Sequence, residues 1–250
     1  MFTAPYTFLT TKPQHRRLCT LFPELLHVLP ITGGVYDLEA RIYYTDGTNA
    51  AYEIEGSLLL AAGEVRYWDV SQYSQDYAAV NPSKTISKIK IWLGTEDANE
   101  QLHYYPYTPT TDELRAIYYN NTAGGIDTVI CMGDEQRSQG NFAIDTVSPM
   151  VMEMEIQSLR QYGLSGQRAR TGHTLHTAHR YSTSDEMLAL RDFDLLRTGW
   201  LFEVVNNLPK MLNIILTGSI PYAAARSTLV AVPITFQFAF EEKAFDRVGL

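Results

Sequence analysis

The sequence predicts a mainly β protein made of two antiparallel β-sandwich-like domains, the second carrying one short helix. Three observations predict it. Period-two alternation of apolar and polar residues dominates the readable segments. Short runs of this kind are separated by Gly, Pro, Asp and Asn turn signals. Aromatic residues, which favour pleated half-buried surfaces, are plentiful, with 16 Tyr and 10 Phe among 250 residues.

The first strand has Tyr36, Leu38, Ala40, Ile42 and Tyr44 on one face and Asp37, Glu39, Arg41 and Tyr43 on the other. Asp46-Gly47 follows directly and is a strong hairpin signal. The return strand carries Tyr52 and Ile54 inward and Glu53 and Glu55 outward. Ile89, Ile91 and Leu93 then alternate with Lys88, Lys90 and Trp92. Later, Met152, Met154 and Ile156 alternate with Val151, Glu153 and Glu155, and Ile234, Phe236, Phe238 and Phe240 with Thr235, Gln237, Ala239 and Glu241.

One segment, 185–196, reads as a helix. Thr183 and Glu186 have capping-box spacing, no Gly or Pro interrupts the run, and Gly199 can stop it. Acidic Asp185 and Glu186 at the start and Arg197 at the end suit the helix dipole. A shorter helix is expected over 114–119, after Asp112. The Pro- and Thr-containing stretch 104–112 reads as a long connection. It places the first domain at 1–108 and the second at 109–250. Residues 163–177, with Gly163, Gly166 and Gly172, read as a polar arm or exposed hairpin tip.

Charge and composition narrow the function. Asp and Glu number 28 against 20 Lys and Arg, for a net charge of −8, so a broad basic surface for nucleic acid is not expected. The two cysteines, Cys19 and Cys131, exclude a disulfide framework and leave one bridge open. Residues 1–9 lack a basic region followed by an apolar stretch, which is not the pattern of a secretory signal. The apolar runs are far too short to cross a membrane as helices. The expectation is a protein made in the cytoplasm and used inside a larger assembly.

Few residues suggest chemistry. His173, His176 and His179 form an H-x-x-H-x-x-H run, and imidazoles are good zinc ligands. On a strand this spacing alternates faces and cannot converge. With Thr and Gly flanking the run, an exposed polar hairpin is expected and no metal. Gly33-Gly34 and Gly124-Gly125 match no phosphate loop and are read as turns with positive φ. Cys131, inside an apolar run, is read as an inert buried thiol. Asp134-Glu135 cannot place both carboxylates on one strand face, so a turn is expected there. No nucleophile elbow or H-E-x-x-H helix is present. Neither catalysis nor a cofactor is expected. The aromatics Tyr67, Trp68, Tyr73, Tyr77, Tyr104, Tyr105 and Tyr107 either pack in the core or stack on a sugar or protein partner.

The stretch Ile117-Tyr118-Tyr119-Asn120, followed by Gly124-Gly125-Ile126-Asp127-Thr128-Val129, resembles a segment that recurs in structural proteins of phages and prophages of Bacteroidota. The likeness extends over about residues 112–245, through the Arg-, Gly- and Thr-rich region 167–177, the helix 185–196 and the final aromatic strand. The resemblance implies a repeated, non-enzymatic virion subunit of a tail, neck ring or baseplate-like part, whose partners are copies of itself and neighbouring virion proteins. Arg168, Arg170, His173, His176 and His179 are then the candidate contact residues of the arm. A second reading, from another class, is a carbohydrate- or protein-binding β-sandwich module. Fold likeness does not by itself decide between them.

Overall fold

A computed structural model describes residues 5–71, 74–96, 101–107, 114–142, 168–181, 184–205, 208–218 and 230–239. In chain order the strands are β1 (Tyr6–Phe8), β2 (His15–Cys19), β3 (Leu25–Pro30), β4 (Gly34–Tyr44), β5 (Asn49–Leu60), β6 (Arg66–Asp69), β7 (Ile86–Leu93), β8 (Leu102–Tyr107), β9 (Leu114–Asn120), β10 (Ile126–Phe142), β11 (Arg168–Tyr181), β12 (Thr198–Val205), β13 (Leu208–Leu216) and β14 (Val230–Phe238). The helices are α1 (Ser74–Val80), between β6 and β7, and α2 (Ser184–Leu196), between β11 and β12.

The first eight strands form a sandwich. A three-stranded sheet ordered β1-β3-β6 packs on a five-stranded sheet ordered β2-β8-β7-β4-β5. The alternation expected for β4 is realised, with Leu38, Ala40, Ile42 and Tyr44 buried and their neighbours turned outward. Tyr6, Leu26, Val28 and Trp68 from the small sheet meet Leu38, Ala40, Ile42, Ile89 and Ile91 from the large one in a single core. Asp46-Gly47 makes the β4–β5 turn. Gly47 takes a φ of 85°, and the Asp46 carboxylate accepts from the Thr48 amide at 2.9 Å. One pair departs from the antiparallel pattern, since β2 runs parallel to β8. The stretch expected as a connection from residue 104 is therefore sheet as far as Tyr107.

The other six strands close into a barrel ordered β10-β11-β14-β13-β12-β9. The segment 114–119, expected as a helix, is β9. The misreading has a physical cause. Ile117 and Tyr119 point into the barrel core, while Ala116 and Tyr118 pack outward under Cys19 and Phe22 of the sandwich half. A strand buried on both faces loses its alternation and reads as a continuous apolar run. The helix α2 is where it was expected and caps the barrel, with Leu190 and Phe193 in its core and Phe193 stacked on Tyr119 at 5.2 Å.

Several finer expectations are corrected. Helix α2 stops at Arg197, which has a φ of 56° and whose amide bonds back to the Phe193 carbonyl at 2.9 Å. Gly199 instead lies in β12, where an added Cβ would sit 2.6 Å from the Tyr118 carbonyl oxygen. Helix α1 was not foreseen, since seven residues are too few to show a period. The polar arm is, over its described part, strand β11, paired with β10 from Arg168 onward and with β14 only from His173 onward. Asp134 and Glu135 lie in β10, where pairing with β11 is irregular between Met132 and Gln136. Of the four turn glycines only Gly124 has positive φ, at 92°. The strand expected around 151–156 and residue Thr183 lie outside the described residues.

Candidate functional site: a buried polar junction

The two halves meet at the β9–β10 turn. Asn121, Gly124, Gly125 and Asp127 there receive the chain that runs from β1 to β2. Asp127 is 3% exposed. Its carboxylate accepts from the Thr10 hydroxyl at 2.7 Å, the Thr11 amide and hydroxyl at 3.1 Å each, and the Asn121 side-chain amide at 2.9 Å. Asn121 also donates to the Leu9 carbonyl at 3.1 Å and accepts from the Gly125 amide at 2.9 Å. At Gly125 an added Cβ would lie 2.0 Å from the Leu9 carbonyl oxygen, so only glycine lets the two backbones approach this closely.

Charge is balanced around this point. Lys12 pairs with Glu24 at 2.9 Å, with both side chains largely buried. Arg16 donates to Thr10 Oγ1 at 3.0 Å, to the Pro13 carbonyl at 3.0 Å and to the Lys12 carbonyl at 3.1 Å, and its guanidinium lies 5.6 Å from the Tyr104 ring centre. Burial alone would raise the Asp127 carboxyl. The charges of Lys12 and Arg16 and the bonds from Thr10 and Asn121 outweigh it and hold the group below its usual range. A carboxylate held this way is a poor proton acceptor at neutral pH, and its lone pairs are already occupied. The arrangement ties the β1–β2 connection to the β9–β10 turn. Beside it lies a small cavity of about 60 Å3, lined by residues including Lys12, Arg16, Glu24, Thr128 and Leu190. It has room for a few waters or a small ion and not for a sugar ring.

An apolar contact flanks the polar one. Phe22 meets Phe202 edge to face at 5.9 Å, and the Tyr118 hydroxyl donates to the Pro23 carbonyl at 2.9 Å. On the barrel side, Asp192 of α2 accepts from the Thr122 amide at 3.0 Å, tying the capping helix to the same turn.

The residues singled out from sequence are scattered. His173 is 2% exposed and packs between Phe236 and Phe238, at ring separations of 5.6 and 4.6 Å. It is a core residue, which corrects the exposed-hairpin reading and removes it from the contact surface. His176 is partly exposed and has the opposite strand parity from His173, the divergence expected for a strand. Arg168, Arg170 and His179 lie in β11, but their side chains fall outside the described residues. Cys19 and Cys131 are free and buried, and burial pushes the Cys131 thiol up to about 12, as an inert thiol requires. Of the aromatics, Tyr77 and Tyr104 are fully buried and Trp68 nearly so. Tyr67 and Tyr105 are exposed, but on different sheets, so they build no common stacking platform. Tyr73 lies outside the described residues.

Asp127 was legible only as a member of the stretch Gly124-Gly125-Ile126-Asp127-Thr128, and Asn121 was not singled out. Nothing in their spacing reveals partners 112 and 117 positions away. No family model, no curated protein and no solved structure matches this chain.

Proposed function

We propose that this chain is a non-enzymatic structural subunit of a phage virion, a tail, neck-ring or baseplate-like component that acts through subunit–subunit contacts. The observation that carries this reading is strand β5. It is 12 residues long and ends the order of the five-stranded sheet, so among the described residues one of its edges pairs with no strand. Such an edge is a template for another chain unless it is blocked. Glu53 and Glu55 and the positive φ of Ser57 guard its middle, but next to them Leu59 faces its partner Val35 with both side chains more than half exposed. Among the described residues the short end strands β1, β2 and β6 are open on one side too, but β5 is the longest strand at such an edge. The long strands β4 and β14 have neighbours on both sides.

The junction supports the same reading, because a subunit that transmits load through two bodies needs them fixed to each other. So does the likeness of residues 112–245 to Bacteroidota phage structural proteins. The alternative, a sugar-binding sandwich, is disfavoured by the separation of Tyr67 and Tyr105. Mass spectrometry of purified particles tests the proposal. The chain is expected there in multiple copies, and the double variant V35D/L59D is expected to enter particles poorly. Particles that lack the chain reject the function, and normal incorporation of the variant rejects β5 as the contact.

A further inference from the structure

On the outward face of the five-stranded sheet, away from the junction, β2 and β8 run side by side in parallel, with His15 opposite His103 and Arg17 opposite Tyr105. Parallel pairing without stagger aims both imidazoles at one point. Their Nδ1 atoms are 3.2 Å apart, and the Tyr105 hydroxyl lies 3.0 Å from His15 Nδ1. The rings meet edge to face with centres 4.3 Å apart. We propose that His15 and His103, assisted by Tyr105, form a binding site for a late first-row divalent metal ion such as Zn2+ or Cu2+.

The distances fit. Two imidazole nitrogens bound to one ion at about 2.0–2.1 Å, with an angle between square and tetrahedral, lie about 2.8–3.4 Å apart. The observed separation falls inside that range without moving either strand. Imidazole suits Zn2+ and Cu2+, and Cu2+ stands highest in the general affinity order. His15 is exposed, so solvent can complete the coordination shell.

The bonds among His15 Nδ1, His103 Nδ1 and Tyr105 depend on the tautomers of the two rings. Metal binding needs both Nδ1 atoms unprotonated, with each ring's proton on Nε2. In His103 that Nε2 is buried and has no hydrogen-bond partner. The charges of Lys88 and Lys90 act on His103. The same lysines oppose a cation. Their effect is moderated because Lys90 is bound to Glu96 at 2.6 Å and Lys88 rests 4.3 Å from the Tyr43 ring centre.

The test is calorimetric titration of the full chain with Zn2+ and with Cu2+ alone. One equivalent is expected to bind, with Cu2+ the tighter. Removing a ligand costs at least as much as removing a ligand's hydrogen-bond partner, so H15A and H103Q are each expected to weaken binding about 10- to 100-fold or more. H15A, at an exposed position, keeps the test valid if H103Q folds poorly. H176A on β11 is expected to bind as the parent does. Unchanged affinity in H15A overturns the site. Loss of the equivalent in H176A but not in H15A moves binding to the β11 histidines and overturns it equally.

Discussion

The sandwich half and the barrel half solve the same problem in opposite ways. The barrel closes and gives each of its six strands a neighbour on both sides over part of its length, with the outer ends of β10 and β11 paired only to each other among the described residues. The sandwich leaves β5 open and relies on Glu53, Glu55 and the turn of the backbone at Ser57 to discourage pairing. Closure covers the central part of the barrel strands, whereas one edge of β5 is open along its length among the described residues. The half that carries the open edge is anchored to the closed half by the Asp127 junction, so whatever docks on β5 pulls on the barrel through Thr10, Thr11 and Asn121.

The largest expected effect comes from removing that anchor. Asp127→Ala removes a negative charge close to Lys12 and Arg16 and leaves the donors of Thr10, Thr11 and Asn121 unpaired, at a cost of about 1–3 kcal/mol for each donor left buried and unsatisfied. Urea unfolding should change from one transition to two as the halves uncouple, whereas a single, unshifted transition would mean that the junction carries no coupling. The carboxyl's folded-state value lies below its ordinary 3.8. Its contribution is therefore complete above that pH and is lost as pH falls through the lower folded value. The parent should lose thermal stability below about pH 4, and the Asp127→Asn variant should lose less over that interval.

Gly125→Ala comes next. Its methyl meets the Leu9 carbonyl, and the overpacking should cost about 1–3 kcal/mol, read as a lower urea midpoint with an unchanged slope. Gly124→Ala, where nothing lies within 4 Å of an added Cβ but φ is 92°, separates backbone strain from collision. A smaller effect is expected at His103, which is partly exposed. Its folded value is lowered from 6.5 to about 4. The stability it contributes is full above 6.5 and declines as pH falls toward 4, so His103→Gln should flatten the thermal midpoint across that window and leave it unchanged above neutrality.

The smallest change in stability, within about 0.5 kcal/mol, is expected for Glu53→Val on the exposed face of β5. That variant should nevertheless self-associate, seen as a concentration-dependent sedimentation coefficient. A substitution on the barrel, Thr174→Val in β11, should stay unchanged in mass, because Thr174 pairs with Gln136 of β10 on one side and Thr235 of β14 on the other. Association of both variants alike would erase the distinction between the halves.

Local periodicity settled what depends on a residue's immediate neighbours. The alternation of β4, the Asp46-Gly47 turn and the Gly- and Pro-free run of α2 each follow from local preferences over a few residues, and all three stand in the structure. Non-local burial settled the rest. Strand β9 hid its period because one face lines the barrel and the other meets Phe22. His173 went from surface to core because β14 closes over it with Phe236 and Phe238. Asp127 became a buried anchor only when residues 9–12 arrived from the other half of the chain. The His15–His103 pair exists because β2 and β8, 88 positions apart, run parallel and in step. Pairing between distant strands is set by the summed burial of whole sheets, and no short window of sequence contains that sum.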